Sequence, residues 1–354
     1  VTEPLDAALK VITPVLHSGD SASALVAAKC FGLMRGYDAR WRGAPYRIDD
    51  VEAVLTSDLI NPETQRKSRT FTVAGKIDVR ATELATGAKV IFDHKTTSQD
   101  ISDPNATYWQ QLRIEGQVNH YMLLEWMNGN KVDGAVWDVM RKPGISPKAV
   151  TKADAAEVVR SGQYFGYVLT TDEWNLFQKE PRETPTMYAA RLTDDCTVVR
   201  PHWYFQRRQI ARLDSEIHEY ATELWDHGQD LLHARVTGRN PRNSGACMTY
   251  NSPCRYLGVC SGHDTLESGK WVRKEYVHNE LPIIGQSRGV DVLTNSRIRT
   301  FQTCRRKHEL DYEQGYEKVD EEEKEVLFFG NLWHSASEAY FRTLMEIQQQ
   351  AEAA

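Results

Sequence analysis

The sequence predicts an α/β fold, a central mixed sheet of about four or five strands flanked by helices. Two apolar runs of strand length, residues 71–79 and 88–93, stand on either side of Ala85-Thr86-Gly87. That tripeptide reads as a hairpin turn, because glycine tolerates the positive φ of tight turns. A third apolar run, residues 134–140, reads as a further strand stopped by Pro143. Around these runs, apolar residues recur at three- and four-residue steps, the mark of amphipathic helices.

Taken in order, residues 5–60 read as mostly helical, with Leu5, Leu9, Ile12 and Leu16 on one stripe. Pro14 falls in that stripe and is expected to kink or end the helix near Thr13. The hairpin follows, then a polar loop near 98–106. A helix is expected over 108–127, with Leu112, Val118, Tyr121, Met122 and Leu124 among its apolar positions. Residues 144–200 read as polar and irregular, broken by Pro181, Pro185 and Pro201. A long helix over 202–235 would carry Ile210, Leu213, Ile217, Tyr220 and Leu224 as ordinary core. Residues 238–262 read as a cysteine-bearing loop region, and 331–347 as another helix. No internal repeat or low-complexity tract stands out.

A chain of 354 residues can bury a large core, as one big domain or two smaller ones. Its 41% apolar and 26% charged content are those of an ordinary soluble protein. No apolar run approaches the roughly 20 residues of a membrane span, and no secretory signal is seen, so a cytoplasmic location is expected. The net charge of −6 argues against a broadly basic nucleic-acid coat. It does not argue against a nuclease, because bound cations offset catalytic carboxylates. Local basic segments at 66–69, at Arg207-Arg208 with Arg212, and at 305–307 each read as solvated surface, and the acidic run 320–323 as an exposed loop.

The hairpin brings Asp78, near the end of one strand, toward Asp93-His94-Lys95 on the next. Strand alternation puts Asp93 and Lys95 on one face and His94 on the other. Two acids and a lysine are what a metal-dependent phosphodiesterase needs. A divalent cation polarises the phosphoryl oxygen and lowers the pKa of the water it holds. Mg²⁺ uses few protein carboxylates, so Asp78 and Asp93 suffice as main ligands. Lys95 would orient or help deprotonate the attacking water, or neutralise the phosphate. Taken alone, Asp93-His94-Lys95 also fits a wet strand end.

The ordered set Gly75-Lys76-Ile77-Asp78, Asp93-His94-Lys95 and Gln117-Val118-Asn119-His120-Tyr121 resembles the PD-(D/E)XK nuclease superfamily. Specifically, it is similar to the RecB/AddB-like branch, which includes the CRISPR-associated adaptation exonucleases. The resemblance implies a restriction-endonuclease-like core, Mg²⁺ or Mn²⁺, and DNA as substrate, single-stranded or an end-bearing duplex. It also implies possible protein partners in a DNA-processing complex, and exonuclease activity, with endonuclease or DNA-binding clamp as rival readings. On it, Asp78, Asp93 and Lys95 form the active site, and Gln117 and Tyr121 touch DNA or support the site. A Gly-x-x-x-His pattern, Gly330 to His334, resembles the branch's metal-ligating histidine, with Glu338 one turn later.

Cys247, Cys254 and Cys260, with Cys304 in Phe301-Gln302-Thr303-Cys304-Arg305, resemble the four ligands of the branch's iron–sulfur type. Four thiolates suit a [4Fe–4S] cluster, and Zn²⁺ is the chemical alternative. The family usually has two residues between the first two clustered cysteines, where this chain has six. Cys30 and Cys196 have no motif partners and read as core or free thiols. In the family, the Cys304-like segment and the histidine helix precede the catalytic strands. The sequence therefore reads as a circular permutant, a renumbered chain or a swapped segment. The lack of a starting methionine agrees with that reading. The expected division is 1–262 as catalytic core with three cysteines, 263–296 as linker, and 297–354 as the segment that completes the same nuclease domain.

Overall fold

Two long strands set the frame of the computed structural model, which describes residues 3–249, 252–278, 281, 291–319 and 325–353. β1 (Tyr46–Ile60) and β2 (Lys67–Glu83) pair antiparallel from Tyr46↔Glu83 to Ile60↔Lys67. β3 (Lys89–Thr97) returns antiparallel to β2 through the expected turn. Gly87 has φ +75°, and its N–H donates to Glu83 O at 2.8 Å. β4 (Gly134–Arg141) lies parallel to β3, and a parallel neighbour needs a crossover. α3 (Thr107–Arg113) and α4 (Gly116–Met127) supply it.

The main sheet has six strands in the order β1-β2-β3-β4-β7, where β7 is Phe205–Ile210, and β11 (Asp291–Leu293) pairs parallel with β2. The remaining strands form small antiparallel pairs. These are β5 (Gln163–Tyr164) with β6 (Tyr167–Val168), β8 (Met248–Thr249) with β9 (Ser252–Pro253), and β10 (Trp271–Arg273) with β12 (Tyr316–Lys318). On one face α1 (Pro4–Leu16), α2 (Ser21–Trp41) and α13 (Glu325–Ala353) cover Val79, Phe92, Val136 and Met140. On the other, α3, α4, α9 (Asp214–Thr237) and α11 (Asn295–Thr303) cover Ile77, Ile91, Trp137 and Val139.

Several expected elements differ. The helical stretch read through residue 60 ends at Trp41, and 46–60 is strand β1. Its scattered acids (Asp49, Asp50, Glu52, Asp58) hide the period of two that burial along β2 restores. α1 runs past Pro14 to Leu16, because in a last turn the missing N–H removes a single bond. The helix expected over 108–127 is broken at Ile114-Glu115. The one expected over 202–235 is the short helix α8 (Pro201–Tyr204), then β7, then α9. β7 is held by pairing to β4, a tertiary contact that overrides local periodicity.

Residues 144–200 are not irregular: they hold α5 (Lys152–Ser161), α6 (Thr171–Lys179) and α7 (Pro185–Asp194). Each starts on a capping threonine, Thr151, Thr170 or Thr184, whose side chain accepts an N–H three residues on. These helices share a small core of Val150, Val158, Tyr164, Phe177 and Met187. The span expected as a linker contributes β10, β11 and the start of α11. Pro282, Gly285 and Gly289 of that span, and the acidic run 320–323, lie outside the described residues.

The cysteine region carries α10 (Leu257–Ser261) besides the β8–β9 hairpin, and α12 (Arg305–His308) follows Cys304. Cys30 and Cys196 are free and buried. Among the described residues no helix is long and apolar enough to cross a membrane.

Candidate active site

β2 and β3 stay paired from Thr82↔Lys89 to Val79↔Phe92 and then part. Asp78 and Asp93 are the next residues on the two strands, so both carboxylates stand where the ladder opens. The His94 N–H donates to Asp78 Oδ2 at 2.8 Å across that fork. On the other ladder, Glu52 lies between the pairs Val51↔Val79 and Ala53↔Ile77, opposite Asp78. Its φ is +58°, a left-handed conformation that costs a side-chain-bearing residue about 1–2 kcal/mol.

Both strands change sides at this point. Val51 and Val79 pack with α1, α2 and α13, whereas Ala53 and Ile77 pack with α4 and α9. On a regular strand, residues two apart share a face. The change of sides lets a residue of α13 and residues of β3 and α4, from opposite layers, reach the same carboxylates.

From α13, His334 Nε2 stands 3.0 Å from Glu52 Oε1. Ligand atoms of Glu52, Asp78 and His334 all lie within 4.8 Å of one another, the one such group of three found among the described residues. Lys76 forms an ion pair with Glu52 Oε2. Burial would raise the Glu52 carboxyl, but hydrogen bonds from His334 and Lys76 outweigh it and hold the group low. His334 is raised in turn by its bond to Glu52, with Asp78 adding and burial opposing.

The lysine side of the site is a chain of contacts. Lys95 Nζ is 2.6 Å from Asp93 Oδ2 and donates to Gln117 Oε1 at 2.7 Å. Gln117 Nε2 donates to Tyr121 OH at 2.8 Å, and Lys95 Nζ also stands 5.3 Å from the centre of the Trp137 ring. The break before α4 puts Gln117 in the first turn of that helix, facing Lys95. Asp93 is 1% exposed, and its Oδ2 has no partner in hydrogen-bond geometry. Burial pushes Asp93 up to about 6; Lys95 opposes the rise and Asp78 adds to it.

Gly75 allows α4 this close. A β-carbon there would sit 2.9 Å from Leu124 Cδ1 and 3.0 Å from Tyr121 Cε1.

This donor set fits a hard divalent cation. Three carboxylates and one imidazole gather at the fork, and the buried oxygens Glu52 Oε2 and Asp93 Oδ2 are faced by the lysines Lys76 and Lys95. Asp78 and His334 belong to the close group, whereas Asp93 turns to Lys95. Glu52 escaped the sequence reading, since only its register opposite Asp78 reveals it. Glu338 lies apart, paired with Arg342 at 2.8 Å.

His94 faces the other layer, its Nδ1 3.4 Å from Asp138 Oδ2 and its ring 5.1 Å from that of Phe341. Asp138 also accepts from Tyr37 and Arg207, so Arg207 is a buried structural cation and not solvated surface.

The four clustered cysteines line one region of the fold. Cys254 N–H donates to Cys247 O at 2.8 Å, and Asn243 N–H to Cys304 Sγ at 3.4 Å. No three of their sulfurs come within 4.8 Å of one another, so the structure itself does not display a cysteine metal centre.

Residues 292–354 match the profile of the PD-(D/E)XK nuclease superfamily. The matched segment carries Cys304 and His334. That superfamily comprises nucleases that typically use a divalent metal, so the match points to a metal-dependent phosphodiesterase acting on nucleic acid. The match is to the superfamily and does not distinguish its branches. No curated protein and no solved structure gives a significant match.

Proposed function

We propose that this chain hydrolyses phosphodiester bonds in DNA as a Mg²⁺- or Mn²⁺-dependent nuclease, an exonuclease acting on strand ends. The observation that carries the reading is the meeting of Glu52, Asp78 and His334 beside the Asp93–Lys95–Gln117 chain. Glu52, Asp78 and His334 would hold the cation, with Asp93 beside them. When bound, it supplies Lewis-acid polarisation of a phosphoryl oxygen. Loading requires neutral His334, so it displaces a proton that Glu52 now favours. The Lys95 ammonium, held between Asp93 and Gln117, offsets charge growing on the phosphate or orients the attacking water. Tyr121 accepts from the Gln117 amide and so keeps that amide's oxygen turned to Lys95.

We read Cys247, Cys254, Cys260 and Cys304 as ligands of a structural [4Fe–4S] cluster, with Zn²⁺ as the alternative. In support, residues 242 and 243 touch three of them: Asn243 N–H donates to Cys304 Sγ, Asn243 O accepts from Cys247 Sγ, and Arg242 donates to Cys260 O. We also read the chain order as a permutation of the family's, a reading supported by the packing of α13 on α1, α2 and β1.

The test is cleavage of end-labelled single- and double-stranded DNA with Mg²⁺, Mn²⁺ or EDTA. Lys95→Ala and Asp93→Ala should abolish cleavage with folding retained by circular dichroism. Full activity in both variants overturns the site. Cleavage of closed circular DNA would make the enzyme an endonuclease. Visible absorbance lost in Cys304→Ala supports the cluster, and a colourless, zinc-containing protein overturns it.

A further inference from the structure

The sheet register carries the row of active-site residues beyond the acids. Asp93 pairs with Trp137 on β4, and Trp137 pairs with Arg208 on β7. Arg208 therefore stands on the same face as Asp93 and Lys95, two strand spacings away, about 10 Å. Its neighbour Arg207 points to the opposite face and is consumed by Asp138 and Tyr37. The pair that looked equivalent in sequence is split by the pleat.

Arg208 is held in place. Its guanidinium lies 3.8 Å from the centre of the Trp109 ring, and one N–H donates to Pro104 O at 3.0 Å. Arg212 is tied beside it, donating to Asn119 Oδ1 at 2.7 Å and to Arg113 O at 2.8 Å. All of these anchors are neutral. Among the described residues, Arg113, Arg208 and Arg212 make no ion pair with a carboxylate, although the protein as a whole is acidic. Burial, and then the charge of Arg113, disfavours the Arg208 cation, with Asp103 only partly opposing.

Arg208 and Arg212, fixed on neutral supports, form a seat that fits an anion. Their planar forks suit phosphate, and the ordering cost is already met by stacking and hydrogen bonds. The seat adjoins the reaction centre, since Lys95 Nζ stands 5.3 Å from the centre of the Trp137 ring and Trp137 pairs with Arg208.

We infer that Arg208, with Arg113 and Arg212, binds the phosphodiester backbone of the substrate strand where it leaves the metal site. The inference rests on the nuclease reading and extends it with a direction. The strand runs from the Asp78/Asp93 fork toward the Arg208 end of β7, past the α3–α4 elbow.

The test is binding of a fluorescein-labelled single-stranded oligonucleotide in EDTA, by anisotropy, over a salt series. Arg208→Gln should weaken binding about tenfold at low salt. It should also reduce the slope of log affinity against log salt by about 0.7. Arg113→Gln, on an exposed side chain that the fold does not need, should give a slope change of the same sign. Arg160→Gln, a charge loss on α5 where Arg160 pairs with Glu157, should change neither quantity.

Wild-type slope and affinity in both Arg208→Gln and Arg113→Gln overturn the seat even if the protein cleaves DNA. Absence of any binding by the wild type also overturns it. Binding with the expected slope losses, in a protein that never cleaves, supports the seat and removes the nuclease reading.

Discussion

Replacing Gly75 by alanine puts a methyl group into the contact between β2 and α4. Its carbon would lie 2.9 Å from Leu124 Cδ1, and 3.0 and 3.2 Å from Cε1 and Cδ1 of Tyr121. Carbon atoms pack best at about 3.5–4.0 Å, so α4 must recede by roughly half an ångström or its side chains must leave their rotamers. Overpacking of this kind costs about 1–3 kcal/mol. Losing a flexible glycine from a strand returns about 0.5–1 kcal/mol. The net expectation is a loss of about 1–2 kcal/mol in urea unfolding.

Activity should fall further than stability. Tyr121 and Gln117 ride on α4 and fix the far side of Lys95, and a misplacement of about 1 Å can cost on the order of 100-fold in rate. Leu124→Val added to Gly75→Ala should recover part of the stability by clearing the nearest atom. A Gly75→Ala protein as stable and as active as the wild type would refute the close approach as the reason for this glycine.

His120 is buried, with Nδ1 3.0 Å from Tyr220 OH and Nε2 3.0 Å from Ala74 O, and burial holds its pKa down to about 4. As pH falls the unfolded chain takes up this proton first. Stability is therefore whole above about 6.5 and declines toward pH 4, by about 3 kcal/mol at most from this group. Urea midpoints across that window should fall less steeply for His120→Leu than for wild type, and parallel curves would contradict the assignment. Glu52→Gln keeps the shape of the side chain and removes one anionic oxygen donor. Mn²⁺ affinity by calorimetry should drop at least about tenfold, and an unchanged affinity would take Glu52 out of the cation seat.

The parts of this site that lie close in sequence were legible there. Asp78, Asp93 and Lys95 sit on one hairpin, and period-two alternation already separates His94 from its neighbours. Gln117 and Tyr121 are one helical turn apart, so their common face is also a local property. Glu52 was not legible, because its role depends on pairing opposite Asp78 and on a positive φ that no residue type announces. Arg207 and Arg208 could not be told apart until β4 fixed which face each took. Helices α5 to α7 were hidden by low hydrophobicity, although the threonine caps at Thr151 and Thr170, each followed three residues later by an acid, were in plain view. β7 was lost because an edge strand is defined by its partner.

The cation seat draws Glu52 and Asp78 from the early part of the chain and His334 from near its end. On a ribosome adding about 5–20 residues per second, the histidine is made roughly 10–50 s after the acids. Throughout that interval the nascent chain can carry the hairpin, the lysine and the arginines of β7, but not a complete seat. If the chain cleaves nucleic acid as proposed, its cation seat stays incomplete until α13 has docked. The seat is therefore the product of tertiary docking and not of the hairpin alone.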